Sequence, residues 1–266
     1  MKRIATVDQG NGSAKFTLWE LRGGGVQMAR RRRSSQEQWS APAGLAFVQE
    51  WSPDALAISS VAGGAGRDEL AGRIAAQLRG PLLLDLDAGL ENLTLTPETV
   101  GQDRLFAARG ALELVGRSVV VVDAGTALTV DALRVAGSER PAVFLGGAIA
   151  PGPDLLASSL ASGAAQLYSI EPRAGVPALG RDTREALEAG VSVGFLGAAR
   201  ELVQRIAEAA AFDAPDLVVT GGARSLLREL EAPSGGRRWE IEELVERGLL
   251  AAAGEALVGA AWMPIT

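Results

Sequence analysis

The chain of 266 residues contains no cysteine and no histidine. These absences exclude a disulfide framework, a thiolate nucleophile, a Cys/His zinc site and a serine–histidine–aspartate triad. Any general base must be a carboxylate, and any metal must be held by oxygen. Lysine is nearly absent too: of 26 basic residues only Lys2 and Lys15 are lysines. The excess of acid, a net charge of -6, argues against a dedicated nucleic-acid binder, whose domain is usually basic. Long apolar runs are missing as well. The most membrane-like stretch, 248–263, is interrupted by Glu255 and falls short of the ~18 apolar residues of a span. The N-terminal Met1–Asp8 meets a charge too soon to serve as a signal peptide. The expectation is a soluble, cytoplasmic protein without a membrane segment.

What is present is a chain of 47% hydrophobic and 22% charged residues, enough to bury a core. Its length points to two domains at roughly 150 residues each. The opening reads as three strands, Ile4–Asp8, Ala14–Leu21 and Val26–Arg32, with glycine-rich turns between them. A strand at Ala55–Ser59, a helix near Arg67–Leu78, a buried strand at Pro81–Leu86 and a helix at Gly101–Leu114 follow. Near Gly116 the pattern restarts. Strands are expected at Ser118–Asp123, Thr126–Val135 and Ala142–Ala150. A long helix then begins at Asp182, which has capping-box spacing to Glu185. Leu217–Thr220 reads as another buried strand, and a last helix covers Leu244–Ala261.

The restart carries the most information. Val7-Asp8-Gln9-Gly10 is matched 115 positions later by Val122-Asp123-Ala124-Gly125. In both copies a strand ends in Asp-x-Gly, turns, and re-enters as a strand, which marks a duplicated β-β-β-α-β-α domain. Glycine lets such a turn bring backbone N–H groups close to a phosphate, and the aspartate can hold a cation or its water shell. A common hairpin turn explains one copy, but two at matching positions need more. We therefore divide the chain into residues 1–115 and 116–266. Further turn clusters lie at Gly101-Gln102-Asp103-Arg104, opening a helix, at Gly146–Gly152, and at Thr220-Gly221-Gly222, where a strand exit suits an approaching anion.

Taken in order, Asp8-Gln9-Gly10-Asn11, Gly101-Gln102-Asp103-Arg104, Asp123-Ala124-Gly125-Thr126, Leu145–Gly152, Asp182-Thr183 and Thr220-Gly221-Gly222 resemble the successive motifs of type III pantothenate kinases. The resemblance runs from about residue 4 to about residue 250. It implies an α/β fold of two ribonuclease-H-like domains of the actin, sugar-kinase and Hsp70 superfamily, with ATP in the cleft between them. It also implies ATP-dependent phosphorylation of pantothenate, the first step of coenzyme A biosynthesis. Implied partners are ATP with Mg2+, a monovalent cation, K+ or NH4+, and a second copy of the chain in a homodimer with shared active sites.

Carried over by position, the resemblance assigns Asp8, Gln9, Gly10, Asn11, Gly12, Ser13, Ala14 and Lys15 to the ATP phosphates, with Asp8 near the magnesium. Thr126, Gly221 and Gly222 join the ATP site. Asp103 becomes the general base, and Thr94, Gly101, Gln102 and Arg104 line the pantothenate pocket. Thr183 reaches pantothenate from the partner subunit, and Asp123 ligates the monovalent cation. The composition suits this chemistry, because phosphoryl transfer needs positioning, charge neutralisation and one base, with no histidine or cysteine.

Three positions depart from the family pattern: Gly12 replaces a threonine, Thr94 an aromatic residue, and Asp182 an asparagine. They motivate an alternative reading, a kinase-like homologue of altered or lost activity that acts as a regulator. A third reading is another kinase or ATPase of the superfamily; Asp103-Arg104 favours the pantothenate-type pocket over it. The run Arg30–Arg33 could serve an acidic partner, but a solvated edge strand, where charge discourages edge pairing, is the plainer expectation. The helix from Thr183 to about Ala211 has apolar positions on more than one face, as a helix packed on two sides would.

Overall fold

The computed structural model describes residues 2–10, 13–23, 25–35, 46–60, 72–75, 78, 80–135, 137, 141–233 and 235–258. In its first part the elements are β1 (Lys2–Gln9), β2 (Ser13–Arg22), β3 (Gly25–Ser35), α1 (Ala46–Trp51), β4 (Ala55–Ser60), β5 (Leu82–Leu83), β6 (Glu91–Asn92) and α2 (Gln102–Val115). There follow β7 (Val119–Ala124), β8 (Ala127–Arg134), β9 (Val143–Pro151), α3 (Pro153–Gly163), α4 (Thr183–Ala209), β10 (Asp216–Thr220), β11 (Arg238–Glu240) and α5 (Leu244–Val258).

The strands form two sheets, ordered β3-β2-β1-β4-β5 and β11-β10-β7-β8-β9-β6. Read outward from β1 and from β7, the two share one plan. An antiparallel hairpin and a third antiparallel strand lie on one side, and a parallel strand with a further edge strand on the other. The duplicated Asp-x-Gly turn thus sits at the same place in each sheet. Only β6, paired to β9, breaks the symmetry.

Contacts divide the chain into one unit of Met1–Leu90, Thr96–Leu114 and Leu244–Thr266, and a second of Glu91–Leu95 and Val115–Glu243. A single cut near Gly116 therefore differs from this division in two places. The short β6 segment joins the second sheet, and α5 belongs with the first.

In the first unit, strand alternation sorts side chains to two faces. Ala5, Val7, Phe16, Leu18, Leu56 and Ile58 meet Phe47, Val48 and Trp51 of α1 in one apolar cluster. The Phe16 and Phe47 rings lie 4.3 Å apart. The opposite face carries Thr6, Asp8, Lys15 and Thr17, and α5 packs against it: Arg247 stacks over Trp19 at 5.5 Å, and Trp19 Nε1 donates to Thr6 Oγ1 at 2.8 Å. Helices α2 and α5 cross through Gly110 and Gly248, where a Cβ on either would collide with the other's backbone. The second unit's core joins Val120, Val122, Leu128, Val130, Leu217 and Val219 to Phe195, Ala199 and Val203 of α4.

Several local expectations change. The strand at Pro81–Leu86 shrinks to Leu82–Leu83. Of the helix at Arg67–Leu78, residues 72–75 are helical and 67–71, 76 and 77 lie outside the described residues. Helix α3 was not expected; Gly152 caps it and Pro153 stands at its first position, a start signal that the strand exit before it conceals. The cap of α4 forms: Asp182 Oδ1 accepts from Glu185 N at 2.8 Å. Glu185 Oε2 in turn accepts from Arg181 N, one residue earlier than a strict capping box requires.

Candidate active site

Register places a polar row across the first sheet. Asp8 stands opposite Lys15 on β2 and Ser59 on β4, and Lys15 stands opposite Arg33 on β3. Residues directly opposite on neighbouring strands share a face, so Ser59, Asp8, Lys15 and Arg33 point the same way. Lys15 Nζ donates to Asp8 Oδ2 at 2.9 Å, and the carboxylate is buried. The turn is closed by Gly10 N donating to Ser13 O at 3.0 Å. Gln9 is buried and accepts from Ser60 Oγ at 2.9 Å. Ala14 turns its methyl into the apolar cluster, so only its backbone is free to meet a ligand. Asn11 and Gly12 lie outside the described residues.

Asp103 occupies the first turn of α2. Gly101, Gln102 and Arg104 flank it, all half-buried. Its Oδ1 accepts from Arg104 N at 2.9 Å. Burial pushes its pKa above the ordinary aspartate value; that hydrogen bond pulls it down, Asp8 pushes it up, and Arg104 and Lys15 pull it down. Desolvation outweighs the favourable charges, and the carboxyl is electrically coupled to the Asp8–Lys15 pair. A general base wants this kind of upward tuning.

Behind the row lies a residue that sequence reasoning missed. Glu246 of α5 is fully buried, and its Oε1 accepts from Arg31 Nη2 at 2.9 Å. Its pKa is raised by burial, lowered by Lys15, raised by Asp8 and lowered by Arg31. Glu246 Oε2, Thr17 Oγ1 and Ser59 Oγ are buried without a hydrogen-bond partner among the described residues. No local pattern announces a partner 215 positions away.

The second unit repeats the turn with other neighbours. Asp123 stands opposite Thr129 on β8 and Thr220 on β10. Gly125 N donates to Ala127 O at 2.9 Å, and Thr126 O accepts from Gly152 N at 3.0 Å. Gly221, at φ +94°, lies so close to the Asp123 carboxylate and the Ala124 carbonyl that a Cβ there would strike both. Gly222 and Thr126 are exposed. Thr94, also in this unit, directs its hydroxyl to Asn92 Oδ1 at 2.8 Å. Thr183 is exposed at the start of α4. The first unit thus holds Asp8, Lys15 and Asp103 and the second holds Asp123, Thr126, Gly221 and Gly222, with Thr94 after β6 and Thr183 at the start of α4.

The donor sets suit hard cations. Among the described residues no group of three or more carboxylates gathers to hold a metal. Mg2+ in nucleotide sites usually takes one or two carboxylates plus waters and phosphates, and Asp8 beside the unpartnered Ser59 hydroxyl offers hard oxygen of that sort. Beside Asp123 the Ala124 carbonyl and the Gly221 backbone approach closely, so hard oxygen gathers there as well.

Two sheets of this shared order, each with an Asp-x-Gly turn, define an α/β fold built on one plan used twice. A protein of Listeria monocytogenes described as a candidate N-acetylmannosamine kinase aligns with 94% of this chain and 98% of its own, at 15% identity and a TM-score of 0.52. At that identity the likeness speaks for the fold alone. The model of the type III pantothenate kinase family matches residues 4–205. The type III pantothenate kinase of Thermomicrobium roseum is 34% identical over 240 residues, 85% of this chain and 88% of its own. That of Streptomyces coelicolor is 39% identical over 136 residues, 50% of this chain and 49% of its own. The chain belongs to the type III pantothenate kinase family. No helix among the described residues is long and apolar enough to cross a membrane.

Proposed function

We propose that this protein transfers the γ-phosphoryl group of ATP to the hydroxyl of pantothenate, opening coenzyme A biosynthesis. The observation that carries the reading is Asp103: a carboxyl with a raised pKa at the head of α2, coupled to the Asp8–Lys15 pair of the phosphate turn. Asp103 accepts the hydrogen bond of the substrate hydroxyl and takes its proton as the oxygen attacks phosphorus. Lys15 moves its ammonium from Asp8 to the phosphates, and the backbone of Gly10, with Asn11, Gly12 and Ser13, cradles them. Gly101, Gln102 and Arg104 hold pantothenate against the base, with Thr94 as a further wall. Asp8 and the Ser59 hydroxyl would hold Mg2+, which supplies neutralisation of phosphate charge when bound.

In the second unit Asp123 would hold K+ or NH4+, and Thr126, Gly221 and Gly222 face the nucleotide. Exposed Ile149, Leu155, Leu160 and Val193 on β9, α3 and α4 support a two-fold interface with a second copy, through which Thr183 completes the partner's pantothenate pocket. The use of ATP supports a cytoplasmic location. The test is ATP turnover in a coupled assay with and without pantothenate. Release of ADP that depends on pantothenate is expected, and turnover indifferent to pantothenate would refute the reading.

A further inference from the structure

The arginine run Arg30–Arg33 lies in β3, the edge strand of the first sheet. Strand alternation splits it into two pairs with different work. Arg30 and Arg32 face α1, where both reach Glu50, at 3.0 and 2.9 Å, and Arg32 also covers the Trp51 ring at 5.7 Å. Arg31 and Arg33 face the other way, onto the side that carries Asp8 and Lys15. Arg31 is matched by the buried Glu246. Arg33 is not matched by any acid among the described residues. It is exposed, and its Nε donates to Ser13 Oγ at 3.1 Å. That bond ties the guanidinium to the phosphate turn through one nitrogen and leaves its two terminal nitrogens without a partner among the described residues.

We propose that Arg33 is a further phosphate-binding residue of the nucleotide site, presented by the Ser13 hydroxyl and pointed beside Lys15 toward the polyphosphate of ATP. The inference rests on the nucleotide reading of the Asp8–Lys15 turn given above. A guanidinium fork suits phosphate because it can give two parallel N–H bonds to two oxygens, which the lysine ammonium cannot. In a chain with two lysines, arginine is also the residue at hand. The charge bookkeeping agrees. Lys15 is opposed by Asp8 and Arg31 by Glu246, so Arg33 is a positive charge on this face that no acid among the described residues matches.

The experiment measures MgATP affinity by calorimetry on the full chain, together with the melting temperature and the KM for pantothenate. Arg33→Gln should weaken MgATP by about tenfold, the loss expected for hydrogen bonds to a charged group, with pantothenate KM and melting temperature unchanged. Arg33→Met, which keeps the apolar stem, should do the same and decides the matter if the glutamine variant folds poorly. Arg32→Gln, on the other face, should bind MgATP as wild type does. Wild-type MgATP affinity in a folded Arg33 variant overturns the proposal, as does an equal loss in Arg32→Gln, which would make the effect one of general charge. If wild type binds MgATP but turns over no pantothenate, the substrate reading falls while the Arg33 comparison still stands.

Discussion

The two Asp-x-Gly turns share a backbone plan and differ in what stands beside the aspartate. Across the first sheet the row runs Arg33, Lys15, Asp8, Ser59; across the second it runs Ile149, Thr129, Asp123, Thr220. Both aspartates keep a hydroxyl residue on the parallel strand. On the antiparallel side the first has two cations, and the second has none. Asp8 is therefore held in an ion pair that a polyphosphate can break and replace. Beside Asp123 lie instead the Ala124 carbonyl and the Gly221 backbone, and the residues across from it, Thr129 and Ile149, carry no charge. On the function proposed above, one duplicated device would serve opposite charges, an anion in the first copy and a cation in the second, through the residue facing the aspartate rather than the turn itself.

The sharpest break falls on the acid coupled to the first row. Asp103→Asn keeps the shape of the side chain but cannot accept a proton, and turnover should fall on the order of 10²–10⁴-fold while MgATP binding persists. The pH dependence follows from the raised pKa of Asp103. The base must be ionised, so kcat/KM should rise with pH through a pKa above the ordinary aspartate value, and that limb should vanish in the variant. Stability runs the other way: a carboxyl whose folded pKa is raised favours the fold while protonated and loses that contribution as pH rises through the folded value. Near neutral pH the asparagine variant should therefore melt no lower than wild type. A lower melting temperature with intact turnover would make Asp103 structural.

How much of this was legible in the sequence depends on range. The repeat of Val-Asp-x-Gly located both turns, and with them the order of the long strands. The capping pair Asp182 and Glu185 located α4. Edge strands of two or three residues, such as β6 and β11, are too short to show a period, and β5 lies where the sequence places a strand but is shorter than expected. The return of α5 to the first unit has no local signal, since what fixes it is close contact of Gly248 with Gly110 and burial of Glu246 against Arg31. Arg33 stands between these cases. Counting from the β2–β3 turn puts Arg32 opposite Lys15; a bulge at Leu18/Trp19 shifts the register by one and brings Arg33 there instead. Read without the bulge, the arginines change faces.

The next test makes the first row resemble the second. Lys15→Thr places at that position the residue type that Asp123 faces, and it removes the ammonium 2.9 Å from Asp8. MgATP should bind about 10–100-fold more weakly, the range for a lost charge-assisted hydrogen bond on a phosphate. Calorimetry against wild type reads it. Unchanged affinity would mean that the anion is not held by the first row, and the contrast between the copies would lose its meaning.

The smallest effect is expected at the second row, where the proposed ligand is a single monovalent ion. Asp123→Asn keeps an oxygen at the position but removes the charge, so the ion loses its one ionised ligand while the carbonyl of Ala124 and the backbone of Gly221 stay in place. Ion affinity depends on the number of charged ligands, and turnover in potassium buffer should fall on the order of tenfold, toward the rate in sodium buffer. The comparison needed is the ratio of rates in the two salts at equal ionic strength, because a general loss of folding or of nucleotide binding would lower both together and leave that ratio alone. Wild type should show a ratio well above one and the variant a ratio near one. Equal rates of wild type in both salts would remove the cation from the second turn, and the oxygen-rich surroundings of Asp123 would then serve only to close it.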